Sequence, residues 1–153
     1  MTKILALLLG LMLVVTVFYI TSSFAHAWKF VAVGDIECKS AVKVASAIKQ
    51  FSNPVITLLL GDLGYGKTSK CIKDAFPNST PTVGNHDKSK DIVKLWGIPK
   101  SGVYGLKIND VTFLSLNSDT KVSKQIKTVN NLIANADTPW IVPFSHYPCV
   151  TNP

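Results

Sequence analysis

Four short stretches of this 153-residue chain place metal-ligating side chains directly after an apolar run. Asp35 follows residues 28–33, Asp62 follows 54–60, Asn85 with His86 and Asp87 follows 80–83, and His146 follows 140–144. Carboxylate, amide oxygen and imidazole together suit a borderline divalent or trivalent metal, whereas carboxylates alone would suit magnesium. Two cations about 3.5–4 Å apart can bind a phosphate oxygen, lower the pKa of a bridging water and stabilise an in-line displacement. Asp62, in the middle of the first three stretches, is positioned to bridge such a pair. Taken singly, an aspartate after glycine is usually a turn or cap residue and a histidine usually a core or surface residue. Recurrence at matching strand ends is what carries the reading.

The elements that must position these residues repeat one pattern: an apolar run, a glycine, a polar side chain, then a helical periodicity. Gly34, Gly61 and Gly84 stand immediately before Asp35, Asp62 and Asn85, and let the backbone turn sharply without a Cβ clash. Strand, tight turn and helix in succession predict an α/β fold with parallel strands, whose carboxyl-end loops converge on one crevice. Ala41, Val44, Ala45, Ile48 and Phe51 predict one sheet-facing helix face. Asn109-Asp110 between 103–107 and 111–116 predicts a hairpin turn. Ser118, Asp119 or Thr120 then caps a helix with Val122, Ile126, Val129, Ile133 and Ala136 on its packing stripe, and 140–144 forms a last strand. No repeat or low-complexity linker divides residues 28–153, so one domain is expected.

Residues 1–27 stand outside that domain. Lys3, an aliphatic run over 4–20 and Ala25-His26-Ala27 read as a secretory signal peptide cleaved after Ala27, or alternatively as an uncleaved N-terminal anchor. Either assigns the remainder to an extracytoplasmic, secreted or cell-surface location, with membrane contact only through an uncleaved segment. Such a compartment is oxidising, and Cys38, Cys71 and Cys149 lack metal-type spacing, so one disulfide with one cysteine left over is expected. Cys38 and Cys71, each a few residues past a strand in neighbouring loops, are the expected pair. The net charge of +7 comes from 16 basic residues against 9 acidic ones. All the basic residues are lysines, scattered without a block, so no nucleic-acid partner is expected.

Gly34-Asp35, Gly61-Asp62-Leu63-Gly64-Tyr65, Gly84-Asn85-His86-Asp87 and Val142-Pro143-Phe144-Ser145-His146 resemble the first four signature blocks of the calcineurin-like metallophosphoesterases. Tyr65 makes the second block most similar to the purple acid phosphatase branch. The resemblance spans nearly all of residues 29–148, with Gly-Asn-His-Asp its most specific block. It implies a β-sandwich flanked by helices (αββα) and a phosphoesterase acting on phosphorylated small molecules or other phosphoesters, with water activated by two metal ions. The ions would be iron plus zinc, manganese or a second iron. Asp35 would bind the first metal with Tyr65 as its tyrosinate, Asp62 would bridge, and Asn85 and His146 would bind the second. His86 would be the catalytic residue facing the phosphoryl group or leaving oxygen, its imidazole steered by Asp87.

Two features depart from that pattern. Glu37 stands where the family has histidine or glycine, and is either an extra oxygen ligand or the cap of the next helix. The final Gly-His-x-His block does not occur before Pro153, so the sequence reads as C-terminally truncated, with a non-catalytic or weakly metal-binding remnant as the alternative function. A rival motif also exists, because Gly61 to Thr68 satisfies the phosphate-loop pattern G-x-x-x-x-G-K-[ST]. Asp62 would repel phosphate inside that loop, and 113–116 runs into Asn117 where a magnesium-binding aspartate is needed. The phosphate-loop reading also leaves Asp35, Asn85, His86 and His146 without a role.

Overall fold

The computed structural model describes residues 28–65 and 68–148. The leader, Gly66 and Lys67 of the rival motif, and Cys149 lie outside the described residues. Among the described residues the architecture is mixed α/β with two three-stranded sheets and four helices. In the first sheet β1 (Phe30–Val33), β2 (Ile56–Leu59) and β3 (Ser79–Pro81) run parallel in that order, with Phe30 opposite Ile56 and Leu59 opposite Pro81. All four residues of the central strand β2 are buried, because both of its faces are covered. Pro81, which cannot donate to a ladder, lies on the edge strand.

Helices α1 (Cys38–Phe51), α2 (Lys70–Ala75) and α3 (Ser89–Trp96) cover one face of this sheet. Ala41, Ile72 and Ile92, each fully buried, meet Leu59, Leu63 and Val83 there. Val44, Ala45 and Ile48 join them as the periodicity predicts, but Phe51, in the last turn of α1, is 82% exposed. Cys38 and Cys71 form the expected disulfide, with Cα atoms 5.5 Å apart. Both lie in the first turns of helices rather than in loops, so the bond ties α1 to α2 directly.

The second sheet has the order β4 (Tyr104–Ile108), β5 (Val111–Ser115), β6 (Trp140–Phe144). β4 and β5 form the expected hairpin, with Ile108 opposite Val111 and Asn109 in the left-handed conformation at φ 53°. β6 pairs parallel to β5 after a crossover through α4 (Val122–Ala134). Ile56 and Leu58 from β2 form a common apolar cluster with Val111, Phe113 and Phe144, so the two sheets meet through their side chains. Phe113 is fully buried at its centre, with the Phe30 ring edge-on at 5.0 Å. Polar bonds fasten the same joint: the Tyr104 hydroxyl donates to the Pro81 carbonyl and meets Thr80 Oγ1 at 2.7 Å, and Thr82 Oγ1 donates to the Leu116 carbonyl at 2.7 Å.

Tyr104, Leu106 and Ile108 face that cluster, so Gly105 faces the other way, where Leu132 of α4 packs over it. The orientation of α4 corrects the sequence expectation. Val122, Ile126 and Ile133 of the predicted stripe are 72%, 50% and 46% exposed, whereas Val129 and Ala136 of the same stripe are half-buried on the face that carries buried Gln125. Ser118, Asp119 and Thr120 do not cap this helix. Its first residue follows Lys121, which makes no side-chain cap bond, and Asn117 organises the turn by accepting from the Asp119 N–H at 3.1 Å.

Candidate metal centre

The strand ends of the first sheet do not simply stop; they continue as a narrow parallel track that carries the site. Leu60 N–H donates to Val33 O, Asp35 N–H to Gly61 O and Ile36 N–H to Asp62 O, at 2.8–3.1 Å. Gly64 N–H then returns to Ile36 O at 2.9 Å. The loops after β1 and β2 are therefore held side by side, with Asp35 on one and Asp62 on the other. Both aspartates sit in the left-handed region, at φ 56° and 55°. On the other side, Gly61 at φ 87° allows the β3 loop to close in: a Cβ there would stand 2.7 Å from Gly84 N and 3.0 Å from His146 Nδ1. A Cβ on Gly84 would collide with Asp62 N and Oδ1.

Asp62, Asn85 and His146 are brought together by this close approach. The His146 Nδ1–H donates to the Leu60 carbonyl at 2.9 Å, since a carbonyl oxygen can only accept. That bond leaves Nε2 facing Asn85 Oδ1, 3.0 Å away, and Asp62 Oδ1, 3.5 Å away. The side chains of His146 and Asp62 are only 8% and 4% exposed. Asn85 itself is exposed, and a ring nitrogen facing two oxygens requires either a cation among them or a proton on Nε2. Donor atoms held at about 2.1 Å by one ion stand about 3.0 Å apart in an octahedron and about 3.4 Å apart in a tetrahedron. The 3.0 Å separation equals the octahedral edge, which is also an ordinary hydrogen-bond length, and the 3.5 Å separation lies near the tetrahedral one. A histidine whose second nitrogen donates to a carbonyl is also the usual form of a metal-ligating imidazole.

Asp35 and Tyr65 meet on the β1 side. The Tyr65 hydroxyl donates to Asp35 Oδ1 at 2.9 Å, which pushes the phenol up to about 12, with smaller contributions from its surroundings. A cation at Asp35 must displace that proton to gain a tyrosinate ligand. Tyr65 is itself left-handed at φ 48°, and its ring lies 5.6 Å from that of His86. His86 is exposed, and its backbone N–H donates to Asp62 Oδ1 at 3.0 Å. Glu37 occupies the N-cap position of α1 without a side-chain cap bond, and its carboxylate pairs with Lys39 Nζ at 2.7 Å.

Asp87 departs from its expected role. Instead of steering His86, its carboxylate accepts three backbone N–H groups: Asp62 at 2.9 Å and Gly84 at 2.8 Å on Oδ2, and Leu63 at 2.6 Å on Oδ1. Burial pushes its pKa up, against the lowering effect of those amides. The amides of Asp62, Leu63 and Gly64, which a phosphate loop would turn toward its ligand, are thus engaged internally. Sequence reasoning also missed the Leu60 carbonyl, which has no side-chain signature, and Tyr147, whose ring lies 4.8 Å from that of His146. Tyr147 is adjacent to a candidate ligand and its N–H is held by Ser118 Oγ at 3.2 Å.

Among the described residues no three His, Cys, Asp or Glu side chains group around one point, so the candidate set relies on an amide and a phenol as well. No described helix is long and apolar enough to cross a membrane. No protein-family model matches the sequence, and no curated protein matches it at a significant level.

Proposed function

We propose that residues 28–153 form a metallophosphoesterase-type domain, an αββα β-sandwich closest to the purple acid phosphatase-like branch, which hydrolyses phosphate esters. The observation that carries this reading is the His146 imidazole, fixed by the Leu60 carbonyl so that Nε2 faces Asn85 Oδ1 and Asp62 Oδ1. Asp35 with Tyr65 would hold one ion, Asn85 with His146 the other, and Asp62, on the loop after the central strand, would touch both. Bound there, the ions would supply charge for the phosphate and a water of lowered pKa. The protein's own contribution is positional. Asp62 and His146 are held in a nearly dry recess, and the exposed His86 imidazole stands beside Tyr65, where it can hold a proton for a leaving oxygen.

The phosphate-loop alternative is disfavoured by the engaged amides of Asp62, Leu63 and Gly64. The test is metal content by elemental analysis together with hydrolysis of an aryl phosphate. We expect close to two ions per chain and release of phosphate, with Asp62→Asn abolishing release. Activity that survives Asp62→Asn overturns the bridging role, and a stoichiometry far below two favours a weakly metal-binding remnant.

A further inference from the structure

We propose that Asp87 is a positioning residue, which sets the spacing of the donor set through the main chain rather than through His86. This rests on the reading of Asp62, Asn85 and His146 as metal donors. The reasoning begins where the β2–β3 ladder ends. Thr82 N–H donates to Leu59 O at 2.8 Å, and beyond it the two chains approach too closely to continue a sheet, through glycines at 61 and 84. Beyond that point the amides of Asp62, Leu63 and Gly84 are bonded to a side chain in place of a strand carbonyl. One carboxylate replaces the missing carbonyls: Asp87 Oδ2 bridges Asp62 N and Gly84 N, and Oδ1 takes Leu63 N.

The bond is reciprocated, because Asp62 Oδ1 accepts the His86 N–H from the loop that carries Asp87. Two aspartates, each capping the backbone of the other's loop, form a closed clasp. Asp62 is a donor in the proposed centre and Asn85 lies between the two ends of that clasp, so the Asp62–Asn85–His146 spacing depends on it. An asparagine at 87 cannot satisfy all three amides, since its NH₂ would oppose one N–H donor. Charged acceptors also make the stronger bonds that such a turn requires.

The experiment compares wild type with Asp87→Asn on the full mature chain, using zinc alone as the probe. Asp87→Asn is expected to weaken zinc affinity by about 10–100-fold, the range for loss of a group that orients metal ligands. The pH dependence of aryl phosphate hydrolysis, measured at saturating zinc, is expected to keep its midpoints. A variant with unchanged zinc affinity and a shifted limb in its pH profile overturns the proposal, because a partner of the His86 imidazole behaves that way. Native-state hydrogen exchange on the wild type supplies a second measurement that requires neither a folded variant nor metal. The amides of Asp62, Leu63 and Gly84 are expected to be protected although they lie outside any strand or helix, and exchange at unprotected rates refutes the clasp. Wild-type protein that binds no zinc but protects those amides rejects the metal reading and, with it, the functional consequence drawn for Asp87, while leaving the clasp itself standing.

Discussion

Replacing Gly84 by alanine should separate the β2 and β3 loops, and the structure sets the size of the effect. The added Cβ would collide with Asp62 N and Oδ1 and stand 3.0 Å from Gly61 C. Backbone atoms cannot move aside by changing rotamer, so the loops must part. Overpacking by one methyl costs about 1–3 kcal/mol. Parting the loops also weakens the Gly84 and Asp62 amide bonds to Asp87, and an amide bond to a charged group contributes about 1.5–3 kcal/mol. With one such bond lost, a destabilisation of about 2.5–6 kcal/mol is expected, a large share of an ordinary domain's total. Gly97→Ala is the control. It sits at the end of α3 with φ 66° and nothing within 4 Å of its Cβ position, so only left-handed strain of about 1–2 kcal/mol is at issue. Urea unfolding of the oxidised protein gives the comparison. With a slope of about 2 kcal/mol/M, Gly84→Ala should lower the midpoint by about 1.3–3 M. If Gly84→Ala is no worse than Gly97→Ala, the close approach of the two loops is not what the fold requires.

Two further predictions follow from the same structure. Removing the Cys38–Cys71 bond by Cys38→Ser with Cys71→Ser should cost about 3–4 kcal/mol, as expected for releasing a cross-link spanning 33 residues; a midpoint unchanged by the double substitution argues against the bond. Burial pushes the Tyr104 phenol from 10.0 up to about 12, so the folded state holds this proton more tightly than the unfolded chain does. Stability from this group is present below pH 10 and is lost as pH climbs toward about 12. Tyr104→Phe should flatten the stability–pH slope in that window, and equal slopes for the two proteins would contradict the assignment.

Much of the organisation is legible in the sequence because glycine and periodicity are local signals. The runs before Asp35, Asp62 and Asn85 become the three parallel strands, Asn109-Asp110 becomes the hairpin turn, and 140–144 is a strand over that whole span. Where the reading failed, the deciding partner was main chain or polar. On α4, periodicity favours the Val122–Ile126–Ile133 stripe, but Gln125 is the buried residue. Its amide accepts from Asn117 N at 3.2 Å and donates to the carbonyls of Asn117 and Thr120 at 2.9 and 3.0 Å. A glutamine so fully bonded can turn inward, and a hydrophobic pattern cannot register it. Asp87 was misassigned for a similar reason. Its partners are three amides that look alike at every position of a sequence, whereas His86 beside it is conspicuous. Phe51 was misplaced because a helix periodicity continues past the edge of the sheet it covers.

The left-handed backbone at Asp35 and Asp62 has a consequence for how this protein can change over time. Glycine, asparagine and aspartate are the residues that tolerate that conformation readily; any other L-residue brings a strain of about 1–2 kcal/mol. Viable substitution at the two carboxylates is therefore confined to a very short list, and each alternative on it discards the negative charge while relieving or preserving the fold. Selection on stability alone would defend only an accepting oxygen, for the His86 N–H at position 62 and the Tyr65 hydroxyl at position 35, and asparagine supplies that oxygen as well. The scaffold and the proposed chemistry are thus separable by single changes: a descendant with Asn at these positions would keep the backbone conformation and an oxygen donor while giving up the negative charge on which the proposed centre draws.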